Sequence, residues 1–236
     1  MGGARMRKFF CGVFLTYSMV AFSGCAAQVK YQFDKDSFVS PESKKYAVAV
    51  DVFQDNRPER EKEGKLYGKE GYAVNNDKMF KKDIPRQVSR MLAEHLTKAK
   101  VFDKVQVEEV SDDLESKTDE MAGLKNKGYD LAVMGKLNHF YGYYSDEVSA
   151  TTSAVLFGVV GMMVEAISNP KTVGGKVEYG DVRIIDLARG VVVWSGNVEH
   201  AFEKQEKFYD GPVGYVLKAL KETNDKFSHQ LSEGNL

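Results

Sequence analysis

The chain of 236 residues carries 33 basic and 34 acidic residues, a formal net charge of −1, with 43% hydrophobic residues and only two cysteines. That balance excludes a nucleic-acid partner held by excess positive charge, and the cysteine count excludes a disulfide-rich scaffold. Stability has to come from a packed core.

Arg5, Arg7 and Lys8 open the chain without an acidic neighbour, and residues 9–22 then run for 14 positions without a charge. A basic start, a short apolar stretch and a small-residue exit predict an export signal over residues 1–24; Met6 serves equally well as its start. The stretch falls short of the roughly 20 residues that a membrane span needs. Its end, Phe22-Ser23-Gly24-Cys25, resembles the lipobox of bacterial lipoproteins, with Phe22 where leucine is usual. The resemblance implies a lipid on the Cys25 thiol, which becomes the first residue of the mature chain. Cys11 leaves with the signal, so Cys25 has no disulfide partner. Removing Arg5, Arg7 and Lys8 from the 33 basic residues leaves 30 against 34 acidic ones, a net of −4. Membrane attachment therefore rests on the lipid and not on charge. Residues 25–44, with the polar "SPESKK", read as the lipidated cysteine and a flexible tether; an edge strand over 29–33 is the alternative.

Residues 45–236 read as one domain, about 190 residues, enough to bury roughly 70% of the unfolded surface. "YAVAVDVF", residues 46–53, is apolar on both alternations except at Asp51, which predicts a strand covered on both faces. The charged, glycine-containing residues 54–76 predict a long surface loop. Phe80, Ile84, Val88, Met91, Leu92, Leu96 and Ala99 recur at helical spacing. Asn76 or Asp77 is the expected cap, and Pro85 is expected to separate a first turn from the helix proper. Residues 101–110 predict a second strand, 111–127 a polar helix ending near Gly128, and 129–144 a third strand. Farther on, 173–187 and 190–200 predict a hairpin closed by Ala188-Arg189-Gly190, with a bulge at Gly180 where the alternation slips. Pro212 opens a last helix with Val213, Val216, Leu217, Leu220, Phe227 and Leu231 on one stripe. The order β-α-β-α-β-β-β-α predicts an α/β (α+β) fold, a single mixed sheet of about five strands with helices packed on it.

Between the third and fourth strands lies an apolar insertion, residues 149–170, uncharged for eleven positions over 154–164. It lacks the alternation of a lipid-facing β-hairpin. A helix over 151–168 would be about 27 Å long and apolar nearly all round, so something must cover it. Its own domain is one candidate. A second copy or another envelope protein is the next, with Ala154, Gly158 and Gly161 permitting close helix approach. The bilayer is the third, with Phe140, Tyr141, Tyr143 and Tyr144 at headgroup level. Val155, Leu156, Phe157, Val159, Val160, Met162, Met163 and Ile167 are the candidate partner or membrane surface.

Catalytic signatures are missing. His95, His139, His200 and His229 lie on separate elements without metal-ligand spacing, so no metal and no cofactor is expected. Trp194-Ser195-Gly196 lacks the nucleophile elbow and reads as strand, with Trp194 in the hairpin core. "FGVVG" lacks the lysine of a phosphate loop. Asp51, Asp55 and Arg57 stand near a strand end, where a site or a simple Asp–Arg brace would fit. No catalytic residue is assigned.

"VAVDVF", "TKAKVFDKVQV", "YDLAVMGKL" and "VRIIDLARGVVVWSGNV" together resemble the small α/β domain of the TolB amino-terminal region, which recurs in CsgG-like, PelC-like and YajG-like envelope lipoproteins. "DNRP", residues 55–58, is similar to a motif after the first strand of YajG-like proteins. The resemblance spans about residues 46–231 and implies a non-catalytic binding, assembly or accessory module. Ala26 and Ala27 after the cysteine point to the outer membrane, with the domain facing the periplasm. An oligomeric, ring-forming component of a secretion or export channel is the alternative, and an envelope enzyme the third reading.

Overall fold

The computed structural model describes residues 31–63, 83–109, 118–145, 171–206 and 211–234. The signal, Cys25 and the apolar residues of the insertion, Val155 and Phe157 among them, lie outside these. The described elements are β1 (Lys44–Asp51), β2 (Gln54–Asp55), α1 (Glu59–Lys62), α2 (Ile84–Lys98), β3 (Phe102–Glu108), α3 (Thr118–Asn126), β4 (Leu131–Ser145), β5 (Lys171–Asp186), β6 (Val191–Glu206) and α4 (Gly211–Glu233). They form one mixed, open sheet in the order β3-β1-β4-β5-β6, with the two-residue β2 beside β4. β1 pairs in parallel with β3 and β4, while β4, β5 and β6 form an antiparallel meander.

The larger core lies on one face, where Val48, Val50, Val133, Leu137 and Val177 meet Val88, Leu92 and Leu96 of α2 and Val216, Leu220 and Phe227 of α4. The other face holds a smaller cluster in which Ala49, Ala132, Met134 and Ile185 meet Leu124 of α3. The chain leaves β1 through α2 to β3 on one side, then returns through α3 to β4 on the other. Crossovers of one hand running in opposite directions land on opposite faces, which is why α2 and α3 are separated by the sheet.

Two glycines seat α4. A Cβ on Gly142 would meet the Pro212 carbonyl oxygen at 2.0 Å, and one on Gly175, its cross-strand partner, would meet the Tyr215 carbonyl oxygen at 2.8 Å. The first turns of α4 thus rest on bare backbone. On the opposite face a Cβ on Gly174 would strike the Tyr143 ring at 2.6 Å, so that ring crosses the strand to bond Glu203.

Local details revise several expectations. Asp83, in the left-handed region with φ 54°, caps α2 by accepting from the Arg86 amide, and Pro85 belongs to the first turn instead of dividing the helix. The expected loop over 54–76 contains both β2 and α1. The slip at Gly180 is a real bulge: register shifts between Tyr179 and Val182, and Asp181 takes φ 48°. Trp194 lies on the last strand but is only half-buried, its ring 5.3 Å from that of Phe227.

The described part of the expected tether is also docked rather than flexible. Tyr31, Phe33 and Phe38 pack against the main core, Ser40 donates to the Ala99 carbonyl at 2.7 Å, and Phe38 N–H donates to Asp225 at 2.7 Å. Among the described residues the domain's packing therefore reaches back to Tyr31, ahead of residue 45.

Candidate functional site

In an open α/β sheet, ligands settle beyond the carboxyl ends of parallel strands where neighbouring crossovers leave in opposite directions. Here that position is the end of β1 beside β4. A recess of about 650 Å³ opens there, lined by Asp51 and Gln54, by Met134, Gly135 and Lys136 of β4, by the β5 bulge at Asp181, Val182 and Arg183, and by Ser195, Gly196 and Asn197 of β6. Val50, Leu137, Val182 and Ile184 belong to the main core. Their sequence neighbours Asp51, Lys136 and Arg183 therefore point to the other face, past the end of α3.

The bulge shapes this recess. Asn197 accepts from the Asp181 amide at 2.8 Å and holds the strained residue in place. Lys136 donates to Asp181 at 2.6 Å, and that hydrogen bond holds the Asp181 carboxyl below its ordinary range. Asp51 is 5% exposed, and its carboxylate accepts from the Val52 amide at 2.7 Å. Buried carboxylate, lysine, guanidinium, hydroxyl and amide converge on one concavity. It offers both donors and acceptors to a polar ligand.

A second polar cluster adjoins it on β4. The Arg57 side chain, 6% exposed, clasps Asp55 through Nε at 2.9 Å and Nη2 at 2.8 Å. Burial pushes the Asp55 carboxyl up, but the Arg57 hydrogen bonds and charge outweigh it and the net shift is downward. Glu61, 1% exposed, accepts from His139 Nδ1 and from the Phe140 amide. His139 in turn faces Glu178, which takes hydrogen bonds from Asn138 at 3.1 Å and from Lys176. A Cβ on Gly180 would sit 2.1 Å from the Asn138 amide nitrogen, so this glycine gives that side chain its path. The cluster fixes β2 and α1 to the sheet beside the recess.

Of the residues singled out in the sequence, Asp55 and Arg57 form the brace, and Asp51 lines the recess. Phe140 is core, and Tyr141 and Tyr143 lie half-buried on the recess-side face of β4. His95 is fully buried, His139 joins Glu61, His200 stacks near Phe202, and His229 pairs with Glu233. Among the described residues no group of three His, Cys, Asp or Glu side chains could hold a metal ion, and no helix is long and apolar enough to cross a membrane. Sequence reasoning missed Lys136, Arg183 and Glu61. Asp51, the one charge in an apolar strand, was the available signal.

No family model and no curated protein matches the chain. Solved structures that resemble it include the dodecamer of a leucine-to-methionine variant of PelC from Paraburkholderia phytofirmans, at 13% identity and TM-score 0.40, covering 83% of this chain and 96% of that one. Protein XCC0632 from Xanthomonas campestris, of family DUF330, aligns at 6% identity and TM-score 0.43, covering 81% and 88%. Lipoprotein GNA1162 from Neisseria meningitidis aligns at 10% identity and TM-score 0.35, covering 78% and 99%.

Proposed function

We propose that this protein is a lipid-anchored envelope lipoprotein, held to the outer membrane through Cys25, that acts by binding and not by catalysis. The recess at the end of β1 is its binding site. The observation that carries the reading is the position of that recess: a polar concavity at the switch point of the sheet, lined by Asp51, Lys136 and Arg183 and, among the described residues, by no histidine or cysteine. The Ser195 hydroxyl lines it without a histidine among the described lining residues, which favours recognition over nucleophilic chemistry. Two measurements test this. Metabolic labelling with a radiolabelled fatty acid should mark the parent and not Cys25→Ser; equal labelling removes the anchor. A photoreactive residue at Ser195 in living cells should give a discrete adduct that Arg183→Glu abolishes without a change in melting temperature. Adduct formation indifferent to Arg183→Glu removes the recess as the site.

Self-association has its own support. β6 forms one edge of the sheet among the described strands, and Val191 and Val192 are 47% and 42% exposed there. A signal-less protein that sediments as a discrete multimer, reduced to monomer by Val191→Lys with Val192→Lys, would favour the oligomeric reading over a monomeric module.

A further inference from the structure

The segment that leaves Cys25 is locked to the helix layer by a directed chain of hydrogen bonds. Tyr179 of β5 donates to Asn224 Oδ1 at 2.7 Å, and Asn224 Nδ2 donates to the Tyr31 hydroxyl at 2.8 Å. With its oxygen so occupied, Tyr31 gives its own proton to His95 Nδ1 at 2.5 Å, and His95 Nε2 donates to Asp225 at 3.1 Å. Asp225 also accepts from Phe38 N–H, and Lys221 reaches both Asp225 and Asp34. His95, Tyr179 and Asn224 are fully buried, so breaking any link strands a polar group out of water. Residues 31–40 are therefore a strap lying over the seam between α2 and α4.

Covalent geometry then limits the reach of a lipid on Cys25. Five residues lie between Cys25 and Tyr31, six steps of at most about 3.6 Å each, so the Cys25 backbone sits within about 22 Å of Tyr31. The recess lies on the other face of the sheet, so the leash would have to pass around the helix layer, roughly 10 Å thick, and the edge of the sheet to bring a bilayer to it. Beside the strap Lys98 pairs with Glu94 at 2.6 Å and Lys221 with Asp34 at 3.5 Å.

We infer that the strap holds the α2–α4 side of the domain against the lipid headgroups and turns the recess on the opposite face away from the membrane, toward partners in the aqueous compartment. The inference rests on the anchor reading of Cys25. The lipid surface occupies the helix side because the docked strap starts the short leash there. Unspecific orientation would require a leash several times longer.

The test places a photoreactive benzophenone residue at Glu94, Glu222 or Ser195 of the full-length lipidated protein in its own membranes and reads lipid adducts by mass. Glu94 and Glu222 should give several-fold more lipid adduct than Ser195. Inserting about 20 Gly and Ser residues between Ala27 and Gln28, outside the packed strap, should bring the three positions toward parity by lengthening the leash. Equal adducts in the lipidated parent overturn the inference and leave the anchor standing. A Cys25→Ser protein that keeps the Glu94 and Glu222 adducts overturns the anchor instead, and with it the leash. Preference for the helix side that survives the insertion means the surface adheres by itself, which also overturns it.

Discussion

The two faces of the sheet are built by different rules. Under α2 and α4 the strands present Val48, Val50, Val133, Leu137 and Val177, all essentially without solvent contact. On the opposite face the apolar cluster stops at Met134, and beyond it the same strands carry Lys136, Arg183, His139, Lys176 and Tyr141. One face is occupied by helices and owes its residues to burial; the other is half covered by the described residues, and its upper part is open to selection for what it meets. The contrast teaches where stability and recognition part company, and each half of it can be tested.

The largest expected effect is on the occupied face. Leu92→Ala and Phe227→Ala, both at 0% exposure, should each cost about 3–5 kcal/mol by transfer and cavity terms. A loss below about 1 kcal/mol in urea titration would mean that this face is not the main core. Next comes the brace beside the recess. Asp55→Ala leaves Arg57, 6% exposed, without its carboxylate and should cost about 3 kcal/mol. An unchanged midpoint would show that Arg57 reaches water.

Gly142→Ala should be smaller, roughly 1–3 kcal/mol, because the added methyl drives the start of α4 off the sheet while its lower turns hold. Its signature is fast hydrogen exchange confined to the first turns of α4; uniform change along the helix would contradict the glycine seat. On the open face Lys136→Ala and Arg183→Ala should shift stability by no more than about 0.5 kcal/mol. If they unfold the protein, the recess is structural.

Acid gives the smallest effect and works on the strap. Burial alone would raise the Asp225 carboxyl, yet bonds from His95, Phe38 N–H and Lys221 bring it below its ordinary value. A carboxylate depressed on folding contributes above its unfolded pKa, and that contribution is lost as pH falls through the folded value. The strap should therefore loosen before the sheet below about pH 4. Exchange at the Ser37, Phe38 and Ser40 amides, corrected for intrinsic rates, should rise first; simultaneous loss with β4 would count against it.

The five long strands, the hairpin and the last helix were legible because each carries its own periodicity, and the slip between Tyr179 and Val182 even located the bulge. What escaped lacks a period. Glu61 sits in "EREKE", a pattern that reads as solvated, and is buried only because His139 and the Phe140 amide meet it from a strand 78 residues away. The strap looked like linker because Tyr31, Phe33 and Phe38 are spaced among charges, and their burial depends on a seam that exists only after α2 and α4 have packed. Lys136 and Arg183 were invisible for a related reason: topology, not local pattern, gathers them beside Asp51.

The strap has one consequence for how the molecule comes together. Tyr31 bonds Asn224 across 193 residues, and Ser40 bonds Ser232 across 192. Contacts of such sequence separation close the largest loops and form late. During synthesis and export the anchored segment waits for the final helix, so the leash is long first and shortens only when the domain is complete. A chain truncated ahead of Lys221 would lack Asn224 and Asp225, so its strap would lose both partners and an incomplete domain would stay on the long leash.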